Sequence, residues 1–206
     1  MSDTSDDRER ETKMNARKTN VALLIGLGIL SGFAPRARAD ESSQKTIFTF
    51  SAPVEIPGQV LGAGTYVFKL ADSDSDRDVV QVFNKDQTHL YGTFLAIPDE
   101  RLRPAGKPIL TFEERPTDSP EAVKAWFYPG DNYGHEFVYP KTTAVALAKA
   151  NHTPVPSMPD ELAENTKKSA VNMKDARIMA MRQVALKAQN PTGEESDVSE
   201  VSTAPK

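Results

Sequence analysis

Thr65-Tyr66-Val67-Phe68-Lys69-Leu70-Ala71 and then, across an acidic segment, Val79-Val80-Gln81-Val82-Phe83 are the residues whose reading decides the fold. Tyr66, Phe68 and Leu70 alternate with Val67, Lys69 and Ala71. A period of two puts the three large side chains on one face of an extended strand. The second run is rich in β-branched residues, and the polar stretch between the two is short enough to be the tip of an antiparallel pair. Asn84-Lys85-Asp86-Gln87 is a further turn, and residues 88–97 read as a third, longer strand.

The pattern continues on both sides. Upstream, residues 46–50 alternate, Ile56-Pro57-Gly58 and Gly62-Ala63-Gly64 are turns, and 59–61 is a short run between them. Downstream, 98–108 is a surface loop with three prolines and four charged residues within 99–103. Residues 109–113, 123–128 and 135–139 complete the strands. Seven or eight strands in about a hundred residues predict an all-β fold, an antiparallel β-sandwich with a small β-barrel as the alternative. Strand–helix alternation is absent, which argues against a parallel α/β fold.

Pro140 stops the last strand, and the alanine-rich stretch 141–150, with Val145 and Leu147, predicts a short helix. The prolines within 151–159 are expected to end the compact part. Ser157-Met158-Pro159-Asp160 reads as a helix start, with Ser157 as cap and Pro159 in the first turn. A second helical stretch over 169–187 carries Val171, Ile178, Met181 and Ala185 on one face, a thin stripe expected to bury little. Residues 190–206 are polar and rich in turn formers, the composition of a disordered tail.

The N-terminus has another character. Arg17 and Lys18 precede an apolar run, 21–30, then Pro35 and Ala37-Arg38-Ala39. A basic region, a short apolar region and a small-x-small site form the pattern of a cleavable secretory signal of bacterial type. The apolar run falls short of the ~20 residues of a stable membrane span. Residues 1–13 are almost wholly polar, so Met14 is a candidate true start. The expected organisation is a signal peptide at 1–39, a polar lead-in at 40–45 and the sandwich at 46–150. A proline-rich linker with a weakly amphipathic helical segment follows at 151–189, then the tail. The expected location is the periplasm or the extracellular space.

After Ala39, 18 Lys+Arg stand against 24 Asp+Glu, a net charge of −6. Nucleic acid and anionic lipid both favour a positive field, so neither is an expected partner. The chain has no cysteine, which excludes disulfides, thiolate metal ligands, a Cys nucleophile and a lipid-modified Cys anchor. The fold must be held by its core.

Val54-Glu55-Ile56-Pro57-Gly58, Leu61-Gly62-Ala63-Gly64-Thr65-Tyr66 and Val82-Phe83-Asn84-Lys85 resemble a family of exported bacterial small β-domain proteins carrying a Leu-x-Ala-Gly-Thr-Tyr turn and strand. Phe112-Glu113-Glu114-Arg115-Pro116 and Trp126-Phe127-Tyr128-Pro129-Gly130-Asp131 are similar to further marks of that family. The resemblance covers roughly residues 46–162 and implies a secreted sandwich-like module without implying a reaction. Read physically, Gly64 is expected to permit a turn that a side chain would block.

Six of the chain's fifteen aromatic residues fall within 126–139. A turn at 129–134 would place Trp126 and Tyr128 on one face of a hairpin, and Phe137 and Tyr139 on one face of its partner. Two readings follow. The rings are core, as aromatics usually are in sandwiches; or Trp126, Tyr128 and Tyr133 stack on sugar rings while Asp131 and Asn132 bind hydroxyls. Tyr133, in the turn, is the ring most expected outside. Asp72, Asp74 and Asp76 suggest calcium as the one candidate cofactor. A helix–loop–helix calcium motif fails, because Arg77 and Phe83 stand where it needs Gly and Glu. A solvated hairpin tip explains the same residues.

His89, His135 and His152 are too scattered for a metal motif. His135 with Glu136 is a candidate base, though strand neighbours point to opposite faces. No nucleophile elbow or phosphate loop is present. Sequence therefore favours a non-enzymatic module binding an extracytoplasmic protein or polysaccharide, or supporting the cell envelope. A hydrolase of envelope or environmental polymers and a calcium-stabilised module are the alternatives.

Overall fold

The computed structural model describes residues 44–74, 77–115, 118–167 and 176–199. The signal segment and both candidate start sites lie outside these residues. So do Asp76 and the side chains of Asp72 and Asp74, which leaves the calcium loop outside the described chemistry.

The strands are β1 (Lys45–Phe50), β2 (Val54–Ile56), β3 (Gln59–Leu61), β4 (Gly64–Asp74), β5 (Arg77–Asn84), β6 (Leu90–Glu100), β7 (Ile109–Glu113), β8 (Glu121–Phe127), β9 (Tyr133–Phe137), β10 (Tyr139–Pro140), β11 (Val155–Met158), β12 (Lys187–Gln189) and β13 (Glu195–Asp197). The helices are α1 (Lys141–Asn151), α2 (Asp160–Lys167) and α3 (Ala176–Gln183). One sheet runs β1-β4-β5-β6-β9-β8-β2-β3, with β7 also on β8; a smaller one runs β10-β11-β12-β13. The fold is an all-β sandwich with short helices. It does not close into a barrel: among the described residues β1 pairs only with β4, β7 only with β8 and β3 only with β2.

The deciding stretch behaves as its period requires. Tyr66, Phe68 and Leu70 of β4 and Val80 and Val82 of β5 enter one core with Phe94, Trp126 and Phe137. Phe68 links the layers, its ring centroid 6.3 Å from Trp126 and 6.2 Å from Phe137. Each such ring stabilises the fold by about 1.5–3 kcal/mol through burial. Strict alternation would put Val123 and Trp126 on opposite faces of β8. The register with β7 shifts between Thr111 and Phe112, leaving Lys124 as the extra residue of a bulge. The bulge brings both side chains to the core and turns Lys124 outward.

Pro57-Gly58 is the two-residue turn between β2 and β3, with Gly58 at φ 82°. Gly64 does not play the part expected of it. It pairs with Phe50 as the first residue of β4, and a Cβ there would meet only the Tyr66 ring, at 3.4 Å.

The C-terminal third departs most from expectation. Residues 155–158, expected in a linker, form β11, buried at every position. Ser157 is no helix cap; its hydroxyl donates to Lys187 O across the small sheet, 2.9 Å. Asp160, the first residue of α2, instead reaches the start of a different helix, accepting from Thr142 N (3.1 Å) and Thr142 Oγ1 (2.6 Å) in the first turn of α1. Met158, Ala163 and Leu186 pack with Leu95 and Ile97 of β6, and Ile178 and Met181 with Val79 of β5. This C-terminal layer covers the outer face of β5 and β6, which explains why Val79 and Val80 are both buried. Arg77 Nη1 fastens it, donating to Arg182 O and Val184 O at 2.6 Å each. Of the expected stripe, Ile178 and Met181 are fully buried, Ala185 is exposed and Val171 lies outside the described residues. Residues 190–197, expected to be disordered, form a hairpin: β12 pairs with β13 around a turn in which Gly193 takes φ 90°. Local pairing and a glycine in the left-handed region override the polar composition.

Candidate functional site

The turn between β8 and β9, residues 128–132, gathers most of the candidate residues at one end of the sandwich. Gly130 has φ 91°, and Asp131 N donates back to Tyr128 O at 3.2 Å. Two backbone bonds stitch the turn to the loop between β6 and β7: Gly130 N to Ala105 O (2.8 Å) and Arg101 N to Asn132 O (2.7 Å). Gly134, opposite Phe127, is required by close approach: a Cβ there would lie 2.5 Å from the Phe127 ring and 2.7 Å from Trp126 O. The Arg101 guanidinium stands 5.3 Å from the centroid of that same ring, a cation–π contact.

The five candidate residues divide. Trp126 is 0 % exposed, its Nε1 donates to Thr46 Oγ1 at 3.2 Å, and no ligand can stack on it. The three-ring platform is corrected accordingly. Position two residues before the turn aims Trp126 inward, and Phe137 and Tyr139 are core as well. Tyr128 is half-buried against the core. Asp131 is half-buried, Asn132 is exposed, and Tyr133 is 36 % exposed. Beside them Leu102, near the start of the neighbouring loop, is 101 % exposed.

Asp131 is held from within. It accepts from Gln44 Nε2 at 2.9 Å; Gln44 Oε1 faces His135 Nε2 at 3.1 Å; His135 Nδ1 faces Asp78 Oδ2 at 2.6 Å. The amide nitrogen of Gln44 is spent on Asp131, so its oxygen is the atom that faces Nε2 of His135. His135 is 2 % exposed and both of its ring nitrogens are engaged within the chain. It sits under Trp126, ring centroids 5.3 Å apart, as a structural group.

A second polar cluster lies around Lys124, whose Nζ is 3.7 Å from both Glu113 and Glu136. Burial raises the Glu113 carboxyl above its ordinary range, with Lys124 and the amide of Asn151 pulling the other way. Glu114, its neighbour, is exposed, so this adjacent pair does not act together. The phenol of Tyr139 is pushed well above its ordinary range by burial and by the Glu55 and Glu113 carboxylates; its hydroxyl donates to Val123 O at 2.7 Å.

Open clefts also mark the surface. One, of about 480 Å³, lies between Phe50, Pro53, Ser119 and Glu121; another, of about 400 Å³, between Gln59, Thr142, Asp160 and Glu164. Among the described residues no three His, Asp or Glu side chains are grouped to hold a metal ion. His89 is exposed and stands edge-on to Tyr91, while His152 ends α1 at φ 58°.

Sequence reading missed Gln44 and Asp78 as partners of His135, and it missed the β6–β7 loop as part of this end. A signal for the loop was present: from Arg101 to Phe112 there are three cations and no carboxylate, in a chain that is acidic overall. Compared with family models, curated proteins and solved structures, the chain matches none.

Proposed function

We propose that this chain is an exported, non-enzymatic binding module that takes an extracytoplasmic polysaccharide at the end formed by the β8–β9 turn and the β6–β7 loop. One observation carries the reading. Asn132, at the end of a turn, and Tyr133, the first residue of β9, are exposed side by side, and two backbone bonds, the Gln44–Asp131 bond and the Arg101–Phe127 contact hold that turn in place. A ring face beside fixed polar groups is the arrangement that binds a sugar by stacking and hydroxyl contacts, and a turn already ordered loses little freedom on binding.

The hydrolase alternative has His135 and nearby carboxylates as its candidates; both ring nitrogens of His135 are engaged by Asp78 and Gln44, which supports the binding reading over it. Among the described residues no helix is long and apolar enough to cross a membrane. The proposed site of action is the periplasm or the extracellular space.

The test is retention of the purified protein on a panel of insoluble polysaccharides, alone and as Tyr133→Ala. Retention on at least one polymer, lost in the variant while its melting temperature is unchanged, is the expected result. Equal retention of both proteins on every polymer would place the ligand elsewhere.

A further inference from the structure

We infer that the polysaccharide is a polyanion, a carboxylate-bearing glycan, and that Arg101, Arg103 and Lys107 on the β6–β7 loop meet its charges. The inference rests on the binding end proposed above and adds the chemical class of its ligand.

The loop is an exception within its chain. Arg101, Arg103 and Lys107 follow one another with no carboxylate before Glu113. Among the described residues none of the three makes an ion pair, whereas Lys124, Lys141, Lys187 and Arg115 all do. The nearby carboxylates mostly face inward. Asp99 is buried and accepts from Glu100 N at 2.8 Å, and Asp131 is engaged by Gln44. Glu100 is the exposed acid at the base of the loop. Outward, the balance favours the cations.

Arg101 adds a more specific sign. Its guanidinium rests over the Phe127 ring, and its Nη1 is buried without a hydrogen-bond acceptor among the described residues. A fixed, partly dehydrated guanidinium with no counterion gains most from an anion supplied from outside, through charge-assisted hydrogen bonds from its remaining nitrogens. The bond from Arg101 N to Asn132 O places this cation next to the exposed turn, so the ring of Tyr133 and the positive charge share one end of the molecule.

An anionic bilayer would present the same charge, and Leu102 is fully exposed between two arginines. Binding to a bilayer scales with buried apolar area, and one aliphatic side chain offers little. A bilayer is also an extended plane that meets the field of the whole acidic body, while a single polymer chain meets only this end within a screening length of about 10 Å.

The experiment compares polygalacturonate with the same polymer fully methyl-esterified, which keeps the backbone and removes the charge. Vesicles of phosphatidylglycerol and phosphatidylcholine form a third arm. The proteins are the wild type, Arg103→Glu/Lys107→Glu and Leu102→Ser, each checked for an unchanged melting temperature. The expected result is binding to the acid polymer that weakens with salt, and a loss of roughly tenfold in the double variant, about threefold per reversed cation. The esterified polymer should bind at least as weakly. Equal binding to both polymers, insensitive to the charge reversal, would overturn the polyanion inference and leave the polysaccharide reading standing. Binding to vesicles alone, lost in Leu102→Ser, would overturn both in favour of a lipid surface. Binding to none of the three would overturn the polyanion inference, and retention of the protein on neutral polysaccharides would then decide the broader reading separately.

Discussion

Asp78→Ala and Asp78→Asn should differ sharply, although both remove the same charge. Asp78 and His135 are both buried, 2.6 Å apart, and His135 also serves Gln44 at 3.1 Å. Alanine at 78 leaves Nδ1 of His135 without a partner and opens space where the carboxylate stood. Removing one member of a buried ion pair costs about 3–5 kcal/mol, of which an unsatisfied buried nitrogen accounts for roughly 1–3. Asparagine keeps the shape. Its amide can donate to Nδ1 while a neutral imidazole still donates from Nε2 to Gln44, so every polar atom is satisfied. That replacement should cost about 1 kcal/mol or less.

Urea unfolding followed by Trp126 fluorescence suits the comparison, since Trp126 is the only tryptophan and its ring centroid lies 5.3 Å from that of His135. For a domain of this size about 1 kcal/mol moves the melting temperature by roughly 2–4 °C, so the alanine variant should melt some 6 °C or more below the wild type. An alanine variant within about 1 kcal/mol of the wild type would refute the view that this pair organises the end of the core. Two variants equally destabilised would instead show that ionic charge, rather than hydrogen-bond satisfaction, holds it.

Glu113→Gln should stabilise the fold near neutral pH. The folded carboxyl is raised above its ordinary 4.5 by burial, so its favourable contribution is complete below that value and is lost as pH rises through the folded value. An amide does not titrate, and it can offer a donor to the buried, unpartnered Oδ1 of Asn151; a gain of about 1 kcal/mol at pH 7.5 that vanishes at pH 4 is expected from urea titrations at both. Gly134→Ala should cost about 1–3 kcal/mol, because its Cβ would press on Trp126 O, a backbone atom that cannot step aside; thermal melting checks it. Arg77→Ala should free the end of α3 from β5, costing about 1.5–3 kcal/mol; amide exchange should rise over 176–184 before it rises in β4.

Periodicity carried residues 44–137 and failed beyond them, for a definite reason. Where one face meets the core and the other meets water or charge, as at Tyr66, Phe68 and Leu70, alternation reports the strand. Residues 155–158 are buried with no alternation, in a strand of four residues whose partners, β10 and β12, are distant in sequence. Nothing local marks such a strand, and Pro154, Pro156 and Pro159 suggest a linker. The unbroken hydrophobicity of Val79-Val80 was the one hint that β5 needed a second covering layer. The aromatic cluster shows the same limit. Spacing assigned Trp126 and Tyr128 to one side of a strand, but which side faces water depends on partners such as Thr46, eighty residues away. Asp78 is fifty-seven positions from His135 and Gln44 ninety-one, so the network could not be read from the chain.

That network bears on binding as well as on stability. The turn that carries Asn132 and leads into Tyr133 of β9 is fixed through Asp131, Asp131 through Gln44, and Gln44 through His135 to Asp78 on a central strand. A ligand that meets a fixed turn gives up only its own freedom; one that meets a loose turn must also order it, at about 1–2 kcal/mol per residue immobilised. Loss of the Asp78 partner should therefore weaken polysaccharide binding in a variant that remains folded, with no ligand-contacting residue changed. Asp78→Asn, which keeps every bond in the chain, should bind as the wild type does. Comparing the two at a temperature where both are folded separates the two roles of the buried pair: if they bind equally well while differing in stability, the relay supports the core alone and the turn is held by Ala105 and Arg101.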